Sequence, residues 1–267
     1  MVAAGGGNNG GGMRFGILAH SAEGAALCFL TFCREGFREL GRHMHPDVMM
    51  DCAAMGHVMP AWDASDYPAV RAFLAESIER LAAGGCAFFA CPDNTAHIAL
   101  ELPGPELPLP GLNIGDVVAE RAAELGMTRV AVLGTRFTMA GPVYRRALGA
   151  VGIEPRFPND EERADIDRII FDELVEGLFT NASRRRYVEI IDRLKRQEGC
   201  DGVALVCTEI PLLITAEVSP LPILDSTRLL ARAALEVCTG RRPFPTWRGG
   251  PIEDRQHLQA RDSEAPN

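Results

Sequence analysis

Long apolar runs are missing from this chain of 267 residues. No segment approaches the roughly 18 to 20 consecutive apolar residues that would span a bilayer. The N-terminus also lacks a charged region followed by an apolar core. These absences argue against a membrane anchor and a secretory leader, so we expect a cytoplasmic protein with no membrane partner.

Clustered metal ligands and clustered basic residues are missing as well. The eight cysteines form no CxxC pair and no Cys/His ligand pattern, so the sequence predicts neither a metal site nor a disulfide framework. Lys and Arg number 27 against 36 Asp and Glu, which gives a net charge of −9. Nucleic-acid binding needs clustered positive charge, so we expect no nucleic-acid partner. A few well-placed donors still suffice to bind a small anionic substrate.

Short apolar runs alternate with helical patterns along the rest of the chain. Residues 1–12 are rich in Gly and Asn and predict a disordered tail. Strands are predicted at 15–19, 46–51, 86–91, 129–133, 202–206 and 221–224, and helices at 25–40, 67–83, from 96, 116–125, 139–151, 160–176, 184–198 and 227–239. This alternation predicts an α/β fold in which parallel sheets are flanked by helices and ligands bind at the carboxyl ends of strands. Four prolines within residues 102–110 predict a hinge.

Two of the predicted strands end in an acid–base side chain. Residues 91–97 read CPDNTAH, and residues 206–213 read VCTEIPLL. Each stretch presents one acid–base group, Asp93 or Cys207, followed by polar side chains and backbone N–H groups at a turn. This combination can hold a carboxylate while a proton is moved.

From about Phe15 to Thr239 the chain resembles the aspartate/glutamate racemase superfamily. The resemblance is carried by Pro92, Asn94–His97, Gly134–Met139, Pro158–Glu162, Cys207–Leu213 and Asp225–Thr227. It implies two pseudo-symmetric α/β domains with the active site between them, and no pyridoxal phosphate, metal or other cofactor. It also implies a homodimer that acts on a small carboxylate-bearing substrate. The domains would comprise residues 13–113 plus 224–244 and residues 114–223, followed by a C-terminal tail at 245–267.

The resemblance implies that Cys207 is one of two catalytic groups, and Asp93 stands where the other cysteine is usual. Cys91 would share that side of the strand only if the strand stayed regular through Pro92. A carboxylate, with a reference pKa of about 3.9, is a much weaker base than a thiolate, whose reference pKa is about 8.5. We therefore expect an asymmetric site, in which racemisation is one-directional, slow or absent.

Further residues are expected to bind the substrate. The predicted set is Asn94, Thr95, Thr135, Thr138, Thr208, Glu209 and His20. The threonines and the amide are expected to hold a carboxylate, Glu209 to orient the Cys207 turn, and His20 to face the cleft from the first strand. Helix capping remains open as an ordinary structural role for Asn94 and Thr95, and Asp93 could likewise cap the helix that follows it.

Three departures from the family pattern leave other functions open. Val206 and Leu230 replace a usual glycine and a frequent histidine, and the turn after the first strand lacks the usual glycine-rich form. The leading prediction is an aspartate/glutamate-type racemase or epimerase, an isomerase that works by direct proton transfer at Cα. One alternative is a decarboxylase of substituted malonates, or a cis–trans isomerase of a dicarboxylate, that uses Cys207 alone. Another is an inactive homologue that binds carboxylates.

Overall fold

The computed structural model describes residues 13–252. The first half contains strands β1 (Phe15–Ala19), β2 (Val48–Cys52), β3 (Phe88–Ala90) and β4 (Gly111–Leu112), with helices α1 (Ala22–Leu40), α2 (Met59–Asp63), α3 (Tyr67–Ala83) and α4 (Ala96–Leu100). The second half contains β5 (Arg129–Gly134), β6 (Glu154–Arg156), β7 (Gly202–Val206) and β8 (Ile223–Asp225). Its helices are α5 (Ile114–Glu124), α6 (Arg136–Ala140), α7 (Val143–Ala150), α8 (Asp160–Ile169), α9 (Asn181–Glu198), α10 (Ile210–Leu213) and α11 (Ser226–Cys238).

The strands form two four-stranded sheets of the same design. Their orders are β2-β1-β3-β4 and β6-β5-β7-β8, and all the paired strands within them run parallel. Strand β3 therefore occupies in the first sheet the place that β7 occupies in the second. The predicted fold class, two pseudo-symmetric α/β units with parallel sheets, is confirmed.

Each sheet is covered on both faces. Along β3, Phe88 and Phe89 contribute to separate apolar clusters, because successive side chains of a strand point to opposite faces. Helix α5 joins the two units, since Val117 packs with the first sheet and Val118 with the second. Helix α11 follows β8 of the second sheet but buries Leu230 against the first. The two sheets are thus connected through shared helices.

Proline accounts for several differences from the predicted elements. The single helix predicted at 139–151 is two helices, α6 and α7, which are separated at Gly141-Pro142. The edge strand β6 contains Pro155, and the edge strand β4 directly follows Pro110, so neither has the composition of a strand. The helix predicted to reach residue 176 gives way at Ile170 to a wider π-helical turn, Ile170–Leu174.

The proline-rich stretch at 102–110 is packed, which contradicts the predicted hinge. Leu107 is 1% exposed and belongs to the core on one face of the first sheet. The following residues, Gly111 and Leu112, form the edge strand β4, and Gly111 pairs with Trp247 in an antiparallel bridge. The C-terminal tail predicted from residue 245 is accordingly wrong for residues 245–252. The predicted tail at 1–12 and the rest of the C-terminal tail lie outside the described residues.

None of the helices within residues 13–252 is long and apolar enough to cross a membrane.

Candidate active site

The turns that follow β3 and β7 meet at the beginning of α1. A Cβ atom placed on Gly24 would lie 2.6 Å from the carbonyl oxygen of Pro92 and 2.9 Å from Cγ2 of Thr208. Any larger residue at position 24 would push against both turns at once. Glycine in the first turn of α1 thus lets the Asp93 turn and the Cys207 turn approach the same point.

Cys207 directly follows β7 and is partly buried. Its Sγ–H donates a hydrogen bond to Oε2 of Glu209, with a distance of 2.8 Å between the heavy atoms. Burial raises the pKa of Cys207 well above its usual value, and the charges of Glu209 and Asp93 raise it further. Cys207 is therefore a protonated thiol at neutral pH.

Asp93 lies in the turn between β3 and α4 and is partly exposed. Its Oδ1 accepts hydrogen bonds from the backbone N–H groups of Thr95 (2.9 Å) and Ala96 (3.2 Å). The hydrogen bonds to this carboxylate within residues 13–252 all reach Oδ1. Asp93 thus caps the helix through one oxygen of its carboxylate. The two interpretations of this residue are compatible.

Cys91 differs from Asp93 in position and environment. Its side chain is 0% exposed and belongs to the apolar core of the first unit. Burial also raises the pKa of Cys91 well above its usual value. Of the two residues that could face the cleft from this strand end, Asp93 is the partly exposed one.

Three threonine hydroxyl groups form a triangle between the two units. The Oγ1 of Thr95 lies 3.4 Å from that of Thr135 and 3.1 Å from that of Thr138, and the last two are 3.1 Å apart. Thr135 also caps α6 by accepting from the backbone N–H of Thr138. The triangle brings together three predicted residues from both units. Hydroxyl donors next to helix N-termini are suited to bind a carboxylate.

The Asn94 side chain has partners within the protein. Its Nδ2 donates to Oγ of Ser226 (3.1 Å), and its Oδ1 accepts from the hydroxyl of Tyr144 (2.5 Å). The amide is 4% exposed and links the β3 turn with α7 and α11. Sequence reasoning missed Tyr144, because a partner 50 residues away leaves no local signal.

His20 is also buried, with 4% of its surface exposed. Its Nε2 accepts a hydrogen bond from Nε1–H of Trp62 at 3.0 Å, and its buried Nδ1 has no hydrogen-bond partner among the described residues. The ring therefore packs beneath the segment that contains α2. Thr208 is likewise buried, with its methyl group against Gly24. Trp62 was not among the predicted residues, and nothing in the local sequence marks it.

Residues 13–252 contain no group of three or more His, Cys, Asp or Glu residues arranged to hold a metal ion. A thiol and a carboxylate can exchange protons with a bound molecule, while hydroxyl and N–H groups hold its charged end.

Several solved structures are similar to this chain. A candidate Asp/Glu racemase from Yersinia pestis is 26% identical, with a TM-score of 0.76 over 85% of this chain and 99% of that one. An aspartate racemase homologue from Pyrococcus horikoshii is 24% identical, with a TM-score of 0.72 over 85% and 99%. The glutamate racemase of Aquifex pyrophilus is 16% identical, with a TM-score of 0.58 over 89% and 87%, and shows the shared fold. The family model described as Asp/Glu/Hydantoin racemase matches residues 30–234. The chain belongs to the Asp/Glu/hydantoin racemase family.

Proposed function

We propose that the protein is an amino-acid racemase or epimerase that moves a proton directly at Cα, with Cys207 and Asp93 as its two acid–base groups. The observation that supports this proposal most directly is the position of the two groups. The Cys207 thiol and the Asp93 carboxylate follow equivalent strands of the two sheets, β7 and β3, in turns that meet at Gly24. Two acid–base groups facing one carbon are what inversion by direct proton transfer requires.

Amino acids of the aspartate and glutamate type are the proposed substrates. The triangle of Thr95, Thr135 and Thr138 supplies hydroxyl groups for the α-carboxylate. The ammonium group of an amino acid would offset the negative charges of Asp93 and Glu209. A substrate that carries both groups therefore fits this set of charges.

In one direction, Oδ2 of Asp93 takes the Cα proton, and Cys207 gives its thiol proton to the opposite face of the carbanion. The products are the inverted amino acid, a neutral Asp93 and a Cys207 thiolate. The reverse direction uses the same groups in exchanged roles, with the thiolate as base and the carboxylic acid as donor. Because the pKa of Cys207 is raised, the resting enzyme holds the thiol form. We propose that the resting enzyme therefore favours one enantiomer.

Glu209 is proposed to control the thiol proton. It accepts the Sγ–H of Cys207 at rest, and its charge raises the pKa of that thiol. A substrate ammonium group near Glu209 would weaken this effect and ease loss of the proton. Glu209 in this proposal is a positioning residue, since it acts through Cys207.

Loss of the α-proton signal in deuterium oxide tests this function. We would follow L- and D-aspartate and L- and D-glutamate by NMR with the wild type, Cys207→Ser and Asp93→Asn. Exchange is expected from at least one enantiomer, and each substitution should reduce it on its own face by about 10²- to 10⁴-fold, the usual contribution of one acid–base group. The exposed Cys52, changed to Ser, is the matched control and should exchange like the wild type.

A second candidate uses Cys207 alone. It is favoured by the burial of Cys91, which leaves Cys207 without a second thiol from the opposite strand end. Such an enzyme would protonate the carbanion left by decarboxylation of a substituted malonate, or add its thiol to a dicarboxylate double bond. Turnover of these compounds without exchange of the four amino acids would replace the racemase proposal. Binding of dicarboxylates without any turnover would identify an inactive homologue. The homodimer, the cytoplasmic location and the lack of a nucleic-acid or membrane partner stay predictions from the sequence.

A further inference from the structure

Residues 245–252 form a strap across the edge of the first sheet, which we call the C-terminal strap. The carbonyl oxygen of Trp247 accepts from the N–H of Gly111 in β4 (2.7 Å), and the N–H of Gly250 donates to the carbonyl oxygen of Leu100 (2.8 Å). The indole Nε1–H of Trp247 donates back to the carbonyl oxygen of Gly250 at 3.0 Å. The strap is thus bonded both to the edge strand and to the end of α4, the helix that begins beside Asp93.

The side chain of Trp247 reaches His97 on the first turn of α4. The two rings are nearly parallel, 17° apart in orientation, with their centroids 5.9 Å apart. His97 is 0% exposed. Trp247 also packs against Phe89 of β3, with 6.3 Å between ring centroids. The indole therefore lies against both the strand that leads into the Asp93 turn and the helix that leaves it.

His97 forms a hydrogen bond across the turn between β3 and α4. Its Nε2 lies 3.1 Å from the carbonyl oxygen of Cys91. A carbonyl oxygen only accepts, so Nε2 carries the hydrogen and Nδ1 does not. Burial lowers the pKa of His97, which keeps the ring neutral and preserves this tautomer. The ring is therefore a fixed donor that spans the turn from α4 back to Cys91.

We propose that His97 and Trp247 are positioning residues for Asp93. Cys91 precedes Pro92 and Asp93, and proline fixes its own φ, so the direction of the Cys91 carbonyl sets where the chain enters Asp93. His97 holds that carbonyl, and the strap holds His97 through Trp247. The proposal rests on the racemase function described above, in which Asp93 must point at one face of the substrate.

The turn that contains Cys207 has no histidine at the position that corresponds to His97. Counting four residues on from each acid–base group gives His97 in the first turn and Pro211 in the second. Proline has no side-chain donor, so the second turn cannot be closed in the same way. The strap should therefore affect proton transfer on the Asp93 face and leave the Cys207 face unchanged.

The test measures α-proton exchange in deuterium oxide separately for the two enantiomers of the best substrate, with faces assigned by Asp93→Asn and Cys207→Ser. His97→Phe keeps the stacked ring but loses the donor, and Trp247→Ala removes the stack. Each is expected to slow exchange on the Asp93 face by about tenfold, a typical cost of displacing a catalytic group by a fraction of an ångström. Exchange on the Cys207 face should stay within about twofold. His97→Gln, which keeps an N–H donor, should recover part of the loss.

Phe244→Leu is the matched control, because Phe244 packs on Phe88 near the beginning of the strap and is not in ring contact with His97. It should leave the ratio of the two exchange rates unchanged. Equal slowing on both faces in His97→Phe and Trp247→Ala would mean that the pair only stabilises the fold, and would overturn the proposal.

Amide hydrogen exchange separates this proposal from the function on which it rests. The N–H groups of Thr95 and Ala96 are bonded to Asp93. His97→Phe should raise their exchange rates, while the corresponding cap at Thr138 should keep its rate. Unchanged protection at Thr95 and Ala96 would overturn the positioning proposal. If the wild type exchanges no substrate proton and His97→Phe still loses protection at Thr95 and Ala96, the racemase proposal alone is overturned.

Discussion

Asp93 and Cys207 follow equivalent strands, yet different neighbours hold them. The Asp93 carboxylate accepts hydrogen bonds from two backbone N–H groups. In the same turn, His97 forms a hydrogen bond with the Cys91 carbonyl and stacks on Trp247 of the strap. The Cys207 thiol donates to the Glu209 carboxylate and is surrounded by buried side chains that raise its pKa. The acid–base group of the first turn, Asp93, is therefore bonded to hydrogen-bond donors, whereas that of the second, Cys207, is bonded to an acceptor.

The comparison teaches that a pseudo-symmetric fold does not require a symmetric site. Two copies of one sheet design bring two turns to one place, and each turn then gives its acid–base group a different environment. Carboxylates are stabilised by donors, and thiols by burial next to a negative charge. Under the proposed function, the resting site would accordingly hold a proton acceptor on one face of the substrate and a proton donor on the other.

The largest expected effect comes from making the two turns alike. Asp93→Cys should bring the α-proton exchange rates of the two enantiomers toward equality, changing their ratio by about 10²-fold, because a thiolate is a far stronger base than a carboxylate. The same change removes the helix cap, so the free energy of unfolding should fall by about 1 kcal/mol. Asp93→Ser, which retains a capping oxygen without a base, is the control for stability. An unchanged ratio in Asp93→Cys would show that Asp93 does not face the substrate.

A smaller effect is expected when the second turn loses its acceptor. Glu209→Gln keeps the shape of the side chain but removes the charge that raises the pKa of Cys207. Alkylation of Cys207 at pH 8, followed by mass spectrometry of its peptide, should become about tenfold faster, the consequence of roughly 1.4 kcal/mol of lost repulsion. Alkylation of the exposed Cys52 provides the internal reference. A slower reaction at Cys207 would mean that Glu209 activates the thiol instead of holding its proton.

The parts of the fold that could be predicted are those with a strong local pattern. Strands β1 and β7 and helix α3 appear where apolar runs and helical spacing placed them, because each pattern is continuous and ends at turn residues. The strap was missed, since proline and glycine surround its one large apolar anchor, Trp247, and the composition resembles that of a tail. Its order comes from pairing with β4, a contact across more than 130 residues.

In the candidate site, too, some features could be predicted from local patterns and others could not. The positions of Asp93 and Cys207 at strand ends follow from the alternation of strands and helices, and so does the meeting of Thr95 with Thr135 across the two units. The partners of Asn94 and His20 do not follow from it, because Tyr144 and Trp62 are brought to them by tertiary packing. A polar residue at a strand end can serve the substrate or the protein, and only the folded chain shows which partner it has.

The last expected effect is on stability alone and concerns the link that the first turn makes to the second unit. Tyr144→Phe removes the hydroxyl that donates to Oδ1 of Asn94 and leaves a buried acceptor without a partner. The free energy of unfolding should fall by about 1 to 3 kcal/mol in urea titrations. Tyr187→Phe is the matched control, because its buried hydroxyl has no hydrogen-bond partner within the described chain, and its removal should change stability by less than about 0.5 kcal/mol. Equal losses in the two variants would mean that the phenol–amide bond adds nothing to the joining of the two units. A loss confined to Tyr144→Phe would show that the Asp93 turn is fastened to the second unit through Asn94.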